Sequence, residues 1–105
     1  MPWDRGIACF TARRYDEAIA ALRQARNSIN EVRGWLAASY AHAGRLEEAR
    51  ATLQEFLQIA EAAMAVFPGR RLKDWEPYWH GAFWYRDQND FDHLFAALRK
   101  AGLPD

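Results

Sequence analysis

The stretch ARRYDEAIAAL (residues 12–22) recurs, with changes, as AGRLEEARATL (residues 43–53), at an offset of 31 positions. Six aligned pairs are identical: Ala12/Ala43, Arg14/Arg45, Glu17/Glu48, Ala18/Ala49, Ala20/Ala51 and Leu22/Leu53. Internal repetition at such a period is typical of stacked helical units, because one helical hairpin cannot bury its apolar face alone. The sequence therefore predicts an all-α fold built from helical hairpins.

Composition narrows the class of protein. The 105 residues suit one small domain, and 14 basic residues balance 14 acidic ones. Without a broad positive field, nucleic acid and anionic lipid are poor partners. Charged residues interrupt the longest apolar-rich stretch (residues 46–67), which argues against a membrane span. The first residues, MPWDRG, do not resemble a secretion signal, so we expect a cytoplasmic location.

Cys9 is the only cysteine, so a disulfide framework and a cysteine-based metal site are not expected. Its neighbours in the sequence are apolar. A small buried side chain is the expected role.

Hydrophobic periodicity predicts six helices and no strand. The helices are expected to begin near Trp3, Tyr15, Asn30, Leu46, Asp74 and Asp87. Of these residues, Asn30, Asp74 and Asp87 are expected to be N-caps, and Pro77 is expected in the first turn of the fifth helix. Gly44 and Gly102 are expected to end the third and last helices, and Pro68 to end the fourth after about 22 residues.

The segment DWEPYWHGAFWY (residues 74–85) contains six aromatic residues and a histidine. Trp75, Trp79 and Phe83 recur at a spacing of four, which places them on one stripe of a helix. We expect this stripe to cover the apolar face of the fourth helix. A ligand pocket that includes His80 and Trp84 is the alternative.

The two repeated segments resemble the tetratricopeptide repeat, a helix–turn–helix unit of about 34 residues. The matching residues of the second copy are Leu36, Ala37, Tyr40, Gly44, Ala49 and Leu53. The first copy keeps Gly6, Ala18 and Leu22, with Cys9 where the family usually has an aromatic residue. The offset of 31 is shorter than the family period, and neither copy has the usual trailing proline.

The resemblance implies a right-handed α-solenoid of two hairpins with a C-terminal two-helix cap. Repeat 1 is expected at about residues 1–28, repeat 2 at about 31–67 and the cap at about 74–102, all within a single domain. The tail YRDQNDFDHLFAALRKAGLPD (residues 85–105) is similar to the closing segment of bacterial tetratricopeptide proteins, some of which carry a class III adenylate cyclase domain. That likeness implies an alternative function, as the C-terminal regulatory region of a larger, cyclase-linked enzyme.

No catalytic constellation is recognisable in the sequence. His42, His80 and His93 lie in separate predicted helices without metal-ligand spacing, so no metal site is expected. A phosphate-binding loop and a serine nucleophile elbow are also missing. The expected function is therefore non-catalytic and without a cofactor.

An interaction module that binds a protein or peptide partner fits these features best. By the resemblance, the first helix of each hairpin would line the binding groove. The candidate partner-binding residues are Trp3, Ile7, Phe10, Ala38, Ala41 and His42, with His80 and Trp84 from the aromatic segment. Self-association stays open, as does a core role for Trp3, Ile7 and Phe10. A second alternative is a helical domain that binds a small molecule between Trp75, Trp79, His80 and Trp84.

Overall fold

The computed structural model describes residues 2–82 and 88–105, apart from the side chains of Pro2, Trp3 and Ala82. Within these residues the chain forms six α-helices and no strand, which confirms the all-α prediction. The helices are α1 (Pro2–Thr11), α2 (Tyr15–Gln24), α3 (Glu31–His42), α4 (Leu46–Ala63), α5 (Leu72–Ala82) and α6 (Gln88–Lys100).

Helix α3 lies at the centre of the fold, and nine of its 12 residues are buried. It packs against α2, α4 and α6 and touches α1, while α1 packs mainly on α2. Ala37, Ala38 and Ala41 are all buried, and such small side chains let neighbouring helices come close on several sides. The predicted burial of Cys9, near the end of α1, is confirmed.

The two repeated segments fold into turns that share one pattern of hydrogen bonds. In the first turn, the backbone N–H of Arg14 donates to the carbonyl of Cys9 at 2.8 Å. In the second, the N–H of Arg45 donates to the carbonyl of Tyr40, also at 2.8 Å. The next helices, α2 and α4, begin 31 residues apart. The sequence repeat is therefore a repeat of backbone structure at these turns.

Each turn contains one residue in the left-handed conformation, at equivalent positions. Arg13 has φ 65° and Gly44 has φ 83°. The left-handed region favours glycine, because a Cβ atom there crowds the backbone. The prediction that Gly44 ends α3 is confirmed, and the first copy holds the same conformation with an arginine.

This difference between the copies gives a paired test. Gly44→Ala should destabilise the protein by about 1 kcal/mol, since no atom crowds the new Cβ and only the backbone is strained. Arg13→Gly should stabilise it by about 0.5 kcal/mol, after the loss of the exposed Arg13–Asp90 ion pair is counted. Urea denaturation of both variants measures the two changes. Changes of the same sign would contradict the equivalence of the turns.

One predicted helix end is wrong, that of α4. Helix α4 has 18 residues, ends at Ala63 and is followed by Met64 in an extended conformation. A proline has no N–H for the carbonyl four residues earlier, and its ring clashes with that carbonyl. For Pro68 that residue is Met64, so the helix ends a turn before the proline.

The beginnings of α3 and α5 also differ from the prediction. Asn30 has helical backbone angles, and its side-chain amide donates to the carbonyl of Phe56 at 3.0 Å instead of capping α3. Helix α5 begins at Leu72, so Asp74 lies in its first turn and accepts from the N–H of Arg71 at 3.2 Å. Pro77 is consequently inside the helix, beyond the first turn. The predicted cap Asp87 lies outside the described residues.

The end of the chain folds as predicted and also secures α5. Gly102 has φ 108°, and the N–H of Leu103 donates to the carbonyl of Leu98 at 3.0 Å, with Leu103 buried. The N–H of Leu72 donates to the carbonyl of Pro104 at 2.6 Å. The chain end therefore holds the start of α5 beside the end of α6.

Candidate functional site

The expected partner-binding groove is covered by α6. Phe10, Ala38 and Ala41 are buried, with exposures of 0%, 0% and 3%. Helix α6 packs on α3, and the ring of His93 in α6 lies 4.6 Å from that of Phe10. These three candidate residues therefore line no open surface here, and α6 packs on the helix that carries Ala38 and Ala41.

The described side chains among the other candidate residues are at least partly accessible. Ile7 and His42 are half-buried, and His80 is exposed with its ring 4.0 Å from that of Phe91. The side chain of Trp3 and all of Trp84 lie outside the described residues. A role for these five residues in partner binding stays a prediction.

The aromatic segment contributes core residues. Trp75 and Trp79 are 1% and 0% exposed, and their rings lie 4.9 and 6.0 Å from that of Phe56 in α4. The predicted packing of these two residues on α4 is confirmed, while Phe83 lies outside the described residues. Two of the four residues proposed to line the alternative small-molecule pocket are thus part of the core.

Tyr78 joins α5 to α3. Its hydroxyl donates to the carboxylate of Glu31, and the side chain is half-buried. Burial raises the pKa of Tyr78, and the hydrogen bond to Glu31 raises it further. The phenol therefore acts as a neutral donor that orients α5.

A cluster of two histidines and a tyrosine forms where α1, α2, α3 and α6 meet. The rings of His42 and His93, which are 51 residues apart in sequence, stack at 4.5 Å with 17° between their planes. The Tyr15 hydroxyl and Nε2 of His93 share a hydrogen bond of 2.7 Å. We call Phe10, Tyr15, His42 and His93 the histidine cluster.

The surroundings of both imidazoles favour the neutral form, although the bond to the His93 carbonyl by itself raises the pKa of His42. Nε2 of His42 lies 2.9 Å from the carbonyl oxygen of His93, and because a carbonyl only accepts, this nitrogen carries the proton. Nδ1 of His42 is then an acceptor for the Lys100 ammonium at 3.5 Å. Nδ1 of His93 is buried and has no hydrogen-bond partner within the described chain. An unpaired N–H there would be costly, so neutral His93 is favoured.

The electrostatic surroundings act in the same direction. Burial lowers the pKa of His42 and lowers that of His93 to about 4. For His93, the next causes are the neighbouring His42, Arg13 and Lys100. The cluster therefore opposes protonation at both rings.

The chemistry of the cluster favours a structural role. Burial raises the pKa of Tyr15, which is the opposite of what activates a phenol as a nucleophile. The described residues contain no group of three or more histidine, cysteine or carboxylate side chains placed to hold a metal. Hydrogen bonds also engage Nε2 of both His42 and His93. What the arrangement does is fasten α6 to three other helices.

Sequence reasoning missed this cluster. His42 lies near the end of α3 and His93 in the first half of α6, and no local pattern relates the two. A search for ligand spacing within one helix cannot find a pair that only helix packing brings together. Their shared contact with Phe10, itself a predicted groove residue, is visible only in three dimensions.

Two surface grooves lie on the first hairpin. One, of about 360 Å³, is lined by Arg5, Glu17, Ala20, Ala21 and Gln24. The other, of about 430 Å³, is lined by Arg13, Arg14, Tyr15, Asp16, Glu17 and Ala43. Both combine small side chains with charges of each sign, which suits a polar peptide better than a polyanion.

Comparisons with protein-family models, with curated proteins and with solved structures find no match to this chain. Within the described residues, the helices are too short or too polar to cross a membrane.

Proposed function

We propose that the chain is a tetratricopeptide-like interaction domain, in which two hairpins and a C-terminal helix pair bind a protein or peptide partner in the cytoplasm without catalysis. The observation that carries this proposal is the repeated turn, since the bonds Arg14–Cys9 and Arg45–Tyr40 have equal lengths at an offset of 31 residues. Repeated helical hairpins are a common scaffold for protein recognition. The balanced charge argues against nucleic acid as the partner.

The proposed contact surface is the groove lined by Arg5, Glu17, Ala20, Ala21 and Gln24. In the second hairpin, the equivalent positions Leu36 and Thr52 are buried, whereas in the first hairpin Arg5 is exposed and Ala21 half-buried. The first hairpin thus leaves uncovered a face that is covered in the second. Because two alanines line it beside Arg5 and Glu17, the groove suits a helical peptide that carries both charges.

A pair of equivalent alanines tests the proposal. Ala20 lies in the groove, while Ala51 is its repeat equivalent on α4, and both are exposed. A partner isolated with the wild-type chain should bind the Ala51→Arg variant normally and the Ala20→Arg variant at least about tenfold more weakly, because the bulky cation fills the groove. Isothermal titration calorimetry with the purified partner measures this. Equal binding by both variants would show that the groove is not the contact surface.

A further inference from the structure

We propose that α6 acts as a latch, packed on the face that α1 and α3 form (the α1–α3 face), and that protonation of His93 releases α6 from this face. The inference stands apart from the partner-binding proposal, because it concerns a contact within the chain. It starts from the position of His93, whose ring lies against Phe10 of α1 and His42 of α3 and whose Nε2 bonds to Tyr15 of α2. One side chain of α6 thus touches three other helices.

The cations near His93 disfavour a further positive charge on its ring. The turn after α1 contributes Arg13, α2 contributes the neutral phenol of Tyr15, and α3 contributes His42. Helix α6 itself contributes Lys100, and also Asp90, whose carboxylate pairs with Arg13 at 3.7 Å. A protonated His93 would meet like charges and would carry a buried Nδ1–H without an acceptor among residues 2–82 and 88–105. Release of α6 into water removes both penalties.

The size of the effect follows from linkage. If the pKa of His93 is about 4 in the docked helix and 6.5 in the released one, lowering the pH from 7 to 5 favours release by up to about 20-fold. Because the ring is only half-buried, solvent screening reduces this figure to about tenfold. The stabilisation by neutral His93 is therefore present at pH 7 and is lost as the pH falls from 6.5 toward 4.

Helix α4 supplies an internal reference. Its Glu55 bonds to Arg33 at 2.7 Å and also to Arg26. Hydrogen bonds from Arg26, then from Arg33, lower the pKa of Glu55 below 4.5, so this carboxylate stays ionised at pH 5. Acid between pH 7 and 5 should consequently loosen α6 without loosening α4.

Amide hydrogen exchange followed by mass spectrometry tests the latch on the full chain. After correction for the intrinsic pH dependence of exchange, protection of α6 (Gln88–Lys100) should fall about tenfold from pH 7 to pH 5, while α4 keeps its protection. In His93→Gln, which retains a neutral side chain able to bond with Tyr15, most of the difference should disappear, leaving the part that His42 contributes through its own lowered pKa. In His80→Gln, a control at an exposed histidine, the whole difference should persist.

Three results would overturn the proposal. Equal loss of protection in α4 and α6 would mean that acid unfolds the whole domain. Unchanged pH dependence in His93→Gln would mean that another group drives the opening. If that variant does not fold, imidazole titration by NMR in the wild type decides, because a native His93 that titrates near 6.5 removes the linkage.

Discussion

Replacement of Trp79 by alanine is expected to lower the free energy of unfolding by about 3–5 kcal/mol, which is a large part of the total stability of a domain of this size. The indole ring is fully buried and lies 5.7 Å from Trp35 and 6.0 Å from Phe56. A Cβ atom placed on Gly34 would approach this ring to 3.0 Å, so the ring directly covers the backbone of α3. Removing it leaves a cavity between α3, α4 and α5.

Urea denaturation followed by circular dichroism at pH 7 measures this loss. Trp79→Phe should lose less stability, because the smaller ring still fills part of the space that the indole occupies. His80→Ala, at the next position but exposed, should change stability by less than about 0.5 kcal/mol. A Trp79→Ala variant with wild-type stability but impaired partner binding would show that the ring is a recognition residue instead.

Phe10→Ala is expected to lower the free energy of unfolding by a similar amount, about 3–5 kcal/mol. It should also change the pH dependence of stability. Phe10 is fully buried between Trp35, at 5.5 Å, and His93, at 4.6 Å. The cavity would admit water beside His93 and reduce the burial that lowers its pKa. Stability should therefore fall less steeply between pH 6.5 and 5 than in the wild type.

Denaturation curves at several pH values separate the two effects of this substitution. Ile7→Ala is the control, since Ile7 lies half-buried on the same helix. This substitution should lower the free energy of unfolding by less and leave its pH dependence unchanged. If Phe10→Ala keeps the full pH dependence, the ring is not what isolates His93 from water.

Much of the helical architecture could be predicted because its signals are local. Apolar spacing placed Trp75 and Trp79 on one stripe, and both are buried against α4. Gly44 was identifiable as a helix end from the turn that it must form. The end of α4 was predicted less well, because a proline acts on the carbonyl four residues earlier, so the helix ends at Ala63, well before Pro68.

The candidate site was only partly predictable. Phe10 and His42 were recognised as belonging to one face, which was expected to be a binding groove, with a core role for Phe10 as the alternative. The structure places α6 on this face and brings His93 to both residues. Nothing in the local pattern of α6 tells whether its apolar side covers α3 or α4.

By itself, the sequence determined six helices, a turn repeated after 31 residues and the apolar stripe that each helix must bury. These features are local, because apolar periodicity, glycine and proline each affect the backbone over only a few residues. Only the tertiary structure decided that α6 covers the α1–α3 face and that His42 stacks on His93 across 51 residues. Such a pairing depends on which buried surfaces fit one another, and that depends on the shape of the whole core.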